Sequence, residues 1–155
     1  MPQIGPGGKF VFGWSQIRDD LTIKIPDVAV DEYQIAIEGK VILMPGSKKT
    51  GGFGVSRREL LNNSKLKCIL DDNPMLNSYT VEEGKLVKYK NRLYCWLKIF
   101  ENGSFKVNDE ILKAFSIKKG CRLLAIRGSN LAVGMGVKGP LIELANNYKG
   151  TIKSY

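Results

Sequence analysis

Residues 10–17 (Phe-Val-Phe-Gly-Trp-Ser-Gln-Ile) and 92–99 (Arg-Leu-Tyr-Cys-Trp-Leu-Lys-Ile) are rich in aromatic and β-branched side chains, and each stretch predicts a strand. Turn residues follow in both places, Asp19-Asp20 and Glu101-Asn102-Gly103. Alternation over Thr22–Ile25 and Ser104–Val107 then predicts a short strand folding back as a hairpin. The spacing of Ile111, Leu112 and Phe115 puts them on one face of a helix over 109–117, with Asn108 as its N-cap. Val41–Met44 and Leu123–Ile126 predict a third strand, the Gly-Ser pairs at 46 and 128 a turn, and the segments ending at Val55 and Val137 a fourth. A further helix is expected after each fourth strand. Ser56-Arg57-Arg58-Glu59 has capping-box spacing, while Lys138-Gly139-Pro140 places proline at the first helical position and Lys149-Gly150 closes the helix. The connector Ser64–Lys90 holds the turn signal Asp71-Asp72-Asn73-Pro74, and its end, Gly84–Tyr89, is expected to pair with 92–99 through a Lys90-Asn91 turn.

The same elements recur because the chain carries an internal repeat, the second copy lying 82 residues after the first without a gap. The shift superposes Trp14 on Trp96, Ile17 on Ile99, Lys24 on Lys106, Asp27 on Asp109, Ile35 on Ile117, Gly46 on Gly128 and Ser47 on Ser129. Gly52, Gly54 and Val55 fall on Gly134, Gly136 and Val137, making ten identities over columns 11–55, where chance gives about three. The organisation expected is a repeat over 9–63, a connector with an extra strand over 64–90 and a second repeat over 91–148, the two repeats forming one compact domain.

Composition narrows the chemistry. The 155 residues are 43% hydrophobic and 25% charged, which is ordinary for a globular domain, and no apolar run approaches a membrane span. Met1–Gly8 lacks the basic and apolar segments of a signal peptide, so a cytoplasmic protein with no membrane partner is expected. Cys68, Cys95 and Cys121 are odd in number and far apart, and read as buried free thiols. The absence of histidine removes the commonest general base and metal ligand, so no enzyme, catalytic residue, metal or cofactor is expected. Asp19-Asp20, Asp71-Asp72 and Glu82-Glu83 are adjacent carboxylates beside turns, not a catalytic dyad. The net charge of +9 is uneven: residues 1–82 hold ten basic and ten acidic side chains, residues 83–155 fourteen and five.

Residues 101–126 resemble the SpoVT/AbrB family at Glu101, Gly103, Phe105, Val107, Ile111, Phe115, Ile117, Gly120, Leu123 and Leu124. The first copy adds Asp20, Ile23, Ile25, Pro26 and Ile35, and the resemblance covers about 50 residues per copy. It implies a mainly β fold with short helices (α+β), in which two fused AbrB-like repeats interleave hairpins into a pseudo-twofold swapped-hairpin barrel. It also implies a DNA-binding transcriptional regulator, with possible further homo-oligomerisation. The basic residues of the better-matched copy, Lys98, Lys106, Lys113, Lys118, Lys119 and Arg122, would contact phosphates, and of these only Lys98 and Lys113 keep basic character at the family's own places. The family's arginine after the turn glycine is replaced by Ser104 and Thr22.

A second candidate is the loop Lys48–Arg58. Lys48, Lys49, Gly52, Gly54, Ser56, Arg57 and Arg58 combine glycines, backbone amides and cations that could hold a small anion or nucleotide, although no Walker A spacing is present. Read structurally, the same glycines mark a bulge or tight strand crossing. A scaffold without ligand is the third reading. Trp14 and Trp96 recur with strand periodicity and read as core anchors, not base-stacking platforms.

Overall fold

The structure is a computed structural model that describes residues 10–155. The N-terminal reading over Met1–Gly8 and the first residue of the expected repeat lie outside them. Nine strands and six short helices follow in the order β1 (Phe10–Gln16), β2 (Thr22–Lys24), α1 (Asp27–Tyr33), β3 (Lys40–Pro45), β4 (Phe53–Ser56), α2 (Arg58–Asn62), α3 (Cys68–Asp71) and α4 (Pro74–Asn77). They continue with β5 (Val87–Tyr89), β6 (Arg92–Lys98), β7 (Ser104–Lys106), α5 (Asp109–Ala114), β8 (Arg122–Arg127), β9 (Val133–Gly136) and α6 (Pro140–Asn146). No helix among the described residues is long and apolar enough to cross a membrane.

Seven strands form one antiparallel sheet in the order β1-β8-β9-β4-β3-β6-β5, and β2 pairs with β7 in a separate ribbon. The swapped-hairpin barrel is therefore not formed. Closure would require the outer edges of β1 and β6 to meet, and both edges are already occupied. Tyr155 N donates to Trp14 O (2.7 Å) and Trp14 N to Lys153 O (2.9 Å), laying the last residues along β1. The connector strand β5 takes the free side of β6. The hairpin expected between β1 and β2 fails as well, because β2 finds its ladder on β7, with Ile23 opposite Phe105.

Exchanging elements 82 residues apart carries β1 onto β6 and β3 onto β8, and the ladders β1·β8 and β3·β6 are equivalent under that exchange. The fourth strands break the ungapped match. Met44 faces Gly54, whereas Ile126 faces Gly134, so the β8–β9 loop is two residues shorter than the β3–β4 loop. Structurally Gly54 corresponds to Gly134, and the two face each other across the β4·β9 ladder.

Strand alternation sends one set of side chains inward. Phe12, Val41, Leu43, Phe53, Val55, Cys95, Leu97, Leu123, Ala125, Val133 and Met135 form the main core, closed by the β2·β7 ribbon through Ile23 and Phe105 and by α1 and α5 through Ala29, Tyr33, Ile111 and Phe115. Asn108 caps α5, its Oδ1 accepting from Ile111 N at 2.8 Å. Two smaller clusters cover the ends of the outer face. Helices α2, α3 and α4 bring Leu61, Leu70 and Leu76 onto Ile42, Tyr94 and Trp96, and α6 brings Ala145 and Leu141 onto Trp14, Leu124 and Ile126. Both tryptophans are buried. Of the three free thiols only Cys95 is fully buried; Cys68 is exposed and Cys121 half-buried, which corrects the expectation of three buried thiols.

Candidate functional site

The two sequence-derived basic sites do not assemble. Lys98 sits at the end of β6 opposite Lys40, and its amide donates to Glu83 Oε2 at 2.9 Å. Lys106 ends β7, Lys113 lies on α5, and Lys118 and Lys119 are in the turn before β8, all exposed. Arg122 opens β8, four strand steps from β6, and stacks on Trp14 with its guanidinium 4.1 Å from the ring centre. The DNA-binding expectation falls with the barrel that was to present these residues.

The anion loop is dismantled by its own hydrogen bonds. Thr50 N donates to Ser47 Oγ (3.2 Å) and Gly51 N to Ser47 O (2.8 Å), so these amides are committed within the turn. Gly52 faces the Met135 carbonyl, where a Cβ would come within 2.0 Å. Strand β4 then separates Lys48 and Lys49 from the arginines by its whole length. The capping box does not form either: Ser56 Oγ donates to Leu131 O (2.6 Å), and α2 begins at Arg58. The missing acceptor comes from Glu38, whose Oε2 receives Glu59 N (3.2 Å) and lies 3.2 Å from Arg57 Nη1. Glu38 Oε1 accepts from Tyr79 Oη (3.1 Å) and faces Arg58 Nε at 3.7 Å, while Arg58 stacks on Tyr79. Burial, with the Glu38 carboxylate second, pushes the Tyr79 phenol well above its ordinary pKa. Both arginines therefore serve an internal ion-pair hub.

An apolar concavity lies where neither outer-face cluster reaches. On β4 and β9 the outward positions are Gly54, Ser56, Gly134 and Gly136, so the centre of the sheet presents almost no side chains. A groove of about 670 Å³ results. Gly54 and Gly134 floor it, Met44 and Pro45 stand on one side, and Ile126, Pro140, Leu141 and Leu144 on the other. A Cβ on Gly54 would lie 3.5 Å from the Ala132 Cβ, which places Ala132 above the floor. The loop end carries Ser47, Lys49, Thr50 and Lys138. Gly139 joins that end to α6; Lys49 O approaches so closely that a Cβ there would come within 2.5 Å, and its φ of 101° favours glycine.

Sequence reasoning found the glycines but gave them to a bulge or a phosphate. Gly54 and Gly134 sit in regular ladder register without a bulge, while the tight crossing is found at Gly52, against the Met135 carbonyl. It missed Met44, Ile126, Ala132, Lys138, Leu141 and Leu144 as one lining. The available signal was a bulky residue paired with an outward glycine in both fourth-strand hairpins. Among the described residues no group of acidic or cysteine side chains is placed to hold a metal ion. Compared with known proteins, the chain matches no family model and no curated protein sequence, so the SpoVT/AbrB resemblance gains no support from either search.

Proposed function

We propose that this chain is a non-catalytic binding module whose outer sheet face takes an apolar small molecule in the groove over Gly54 and Gly134. The observation that carries the reading is the pairing of a side-chain-free floor with apolar walls. Met44, Pro45, Ile126, Leu141 and Leu144 surround a volume within the range of small-molecule sites, and a few polar groups gather at one end. Leu144 is a large apolar side chain left 41% exposed on the wall, which a bound ligand would cover. The lack of catalysis belongs to the same proposal, resting on the absence of histidine.

Titration of the neutral dye N-phenylnaphthylamine tests it. Saturable binding is expected to the intact chain, falling at least about tenfold in Ala132→Phe, which fills the space over the floor. Leu144→Gln, on the half-open wall, is expected to weaken binding while leaving the thermal melt unchanged. Dye binding that ignores both substitutions refutes the assignment.

A further inference from the structure

The groove is apolar along its length but not at its loop end. Lys49 and Lys138 line that end, and no aspartate or glutamate lines the groove anywhere. Neither lysine has a carboxylate within salt-bridge distance among the described residues, where the ion pairs belong to Lys24, Arg57, Arg58 and Arg127. The Lys138 side chain crosses Gly51, whose added Cβ would lie 3.4 Å from the Lys138 Cε. Ser47 and Thr50 add two hydroxyls 3.0 Å apart. A third cation approaches the Met44–Pro45 wall, where Arg92 Nη2 donates to Pro45 O at 3.1 Å.

The direction of the groove is set by the sheet. Met44 on β3 and Ile126 on β8 are separated by β4 and β9, so the two walls stand about 14 Å apart across three strand spacings and the groove runs along the strands toward its loop end. The ligand's head is anionic, because Lys49 and Lys138 stand exposed at that end with no carboxylate to offset either.

Resting on the ligand-binding reading above, we infer that the groove selects an amphipathic anion: an apolar body over the Gly54–Gly134 floor with its carboxylate held by Lys49 and Lys138. Cation selectivity is excluded by the same lining.

Displacement of N-phenylnaphthylamine from the full chain tests the inference, with dodecanoate, dodecanol and dodecyltrimethylammonium as competitors below their aggregation limits. Dodecanoate is expected to compete about tenfold better than dodecanol, the scale of one charge-assisted contact, and the cationic amphiphile worst. The preference is expected to shrink with added salt and to vanish in Lys49→Ala/Lys138→Ala. Equal competition by dodecanoate and dodecanol, with the dye still bound and still blocked by Ala132→Phe, overturns the anion inference and leaves the groove standing. Failure of the dye to bind the unmodified chain removes the groove reading itself. Retention of the preference in the double lysine variant, or in a charge-reversed Lys49→Glu/Lys138→Glu chain, also overturns the inference.

Discussion

Replacing Glu38 by glutamine removes one charge and almost no volume, and it tests the ion-pair hub directly. Glu38 is the shared partner of Arg57, Arg58, the Tyr79 hydroxyl and the Glu59 amide. Its side chain is 15% exposed and that of Arg57 10%, whereas Glu59, the other carboxylate on Arg57, is 69% exposed. After the substitution Arg57 keeps only this solvated partner and its bond to Tyr33 O (3.3 Å). Losing one partner of a well-buried pair costs 3–5 kcal/mol, and the glutamine retains an acceptor for one of the four contacts, so a loss of about 2–3 kcal/mol is expected. For a chain of this size the melt falls by about 8 °C. Urea unfolding followed by tryptophan emission reads the change, because Tyr79 packs 5.5 Å from Trp96. Adding Arg57→Met to the glutamine variant is expected to recover part of the loss, since an apolar side chain tolerates the site that a stranded guanidinium does not. A destabilisation below about 0.5 kcal/mol, typical of exposed ion pairs, would refute the hub.

Two further predictions concern backbone and burial. Gln34 and Ser116 end α1 and α5 at matching positions in left-handed conformation, with φ of 49° and 56°, and the next residues donate back to Val30 O and Leu112 O. Gln34→Gly and Ser116→Gly are each expected to stabilise the fold by about 1 kcal/mol in urea unfolding, and a loss of stability would show that the original side chains make contacts worth more than the strain. Burial, reinforced by Glu32 and opposed by Arg127, pushes the Tyr33 phenol up to about 12. Its protonated form is favoured by folding, so stability present below pH 10 is lost as pH rises from about 10 to about 12. Tyr33→Phe is expected to flatten that part of the urea-midpoint profile, and an unchanged slope would contradict the assignment.

Much of the local structure was legible because it is decided locally. The Asn108 cap, the proline at the start of α6, and the Lys90-Asn91 turn, whose φ values of 49° and 63° suit a tight hairpin, depend on neighbouring residues alone. Partner choice was not. Nothing in the alternation of Thr22–Lys24 distinguishes β1 from β7 as its mate, and the resemblance at 101–126 says nothing about a connector strand that occupies the edge needed for closure. Ser56 carries a capping signature, but its outward place on β4 sets it against the Leu131 carbonyl. The fold distributes the six basic residues over β6, β7, α5, the turn before β8 and β8 itself, and it builds the groove from residues as distant in sequence as Met44 and Leu144, an arrangement that exists only once β4 lies beside β9.

The ladders that join the two copies also govern how the chain can assemble. β1 pairs with β8, β3 with β6, β2 with β7 and β4 with β9, and Trp14 meets Leu124 roughly 110 positions away. The β3–β4, β5–β6 and β8–β9 hairpins can close early, since their loops are short. Everything else waits on long-range encounters, so folding is dominated by high contact order, and neither half can complete its sheet before the other has emerged. A break in the 64–90 connector would accordingly yield two fragments that need each other to fold, rather than two independent units.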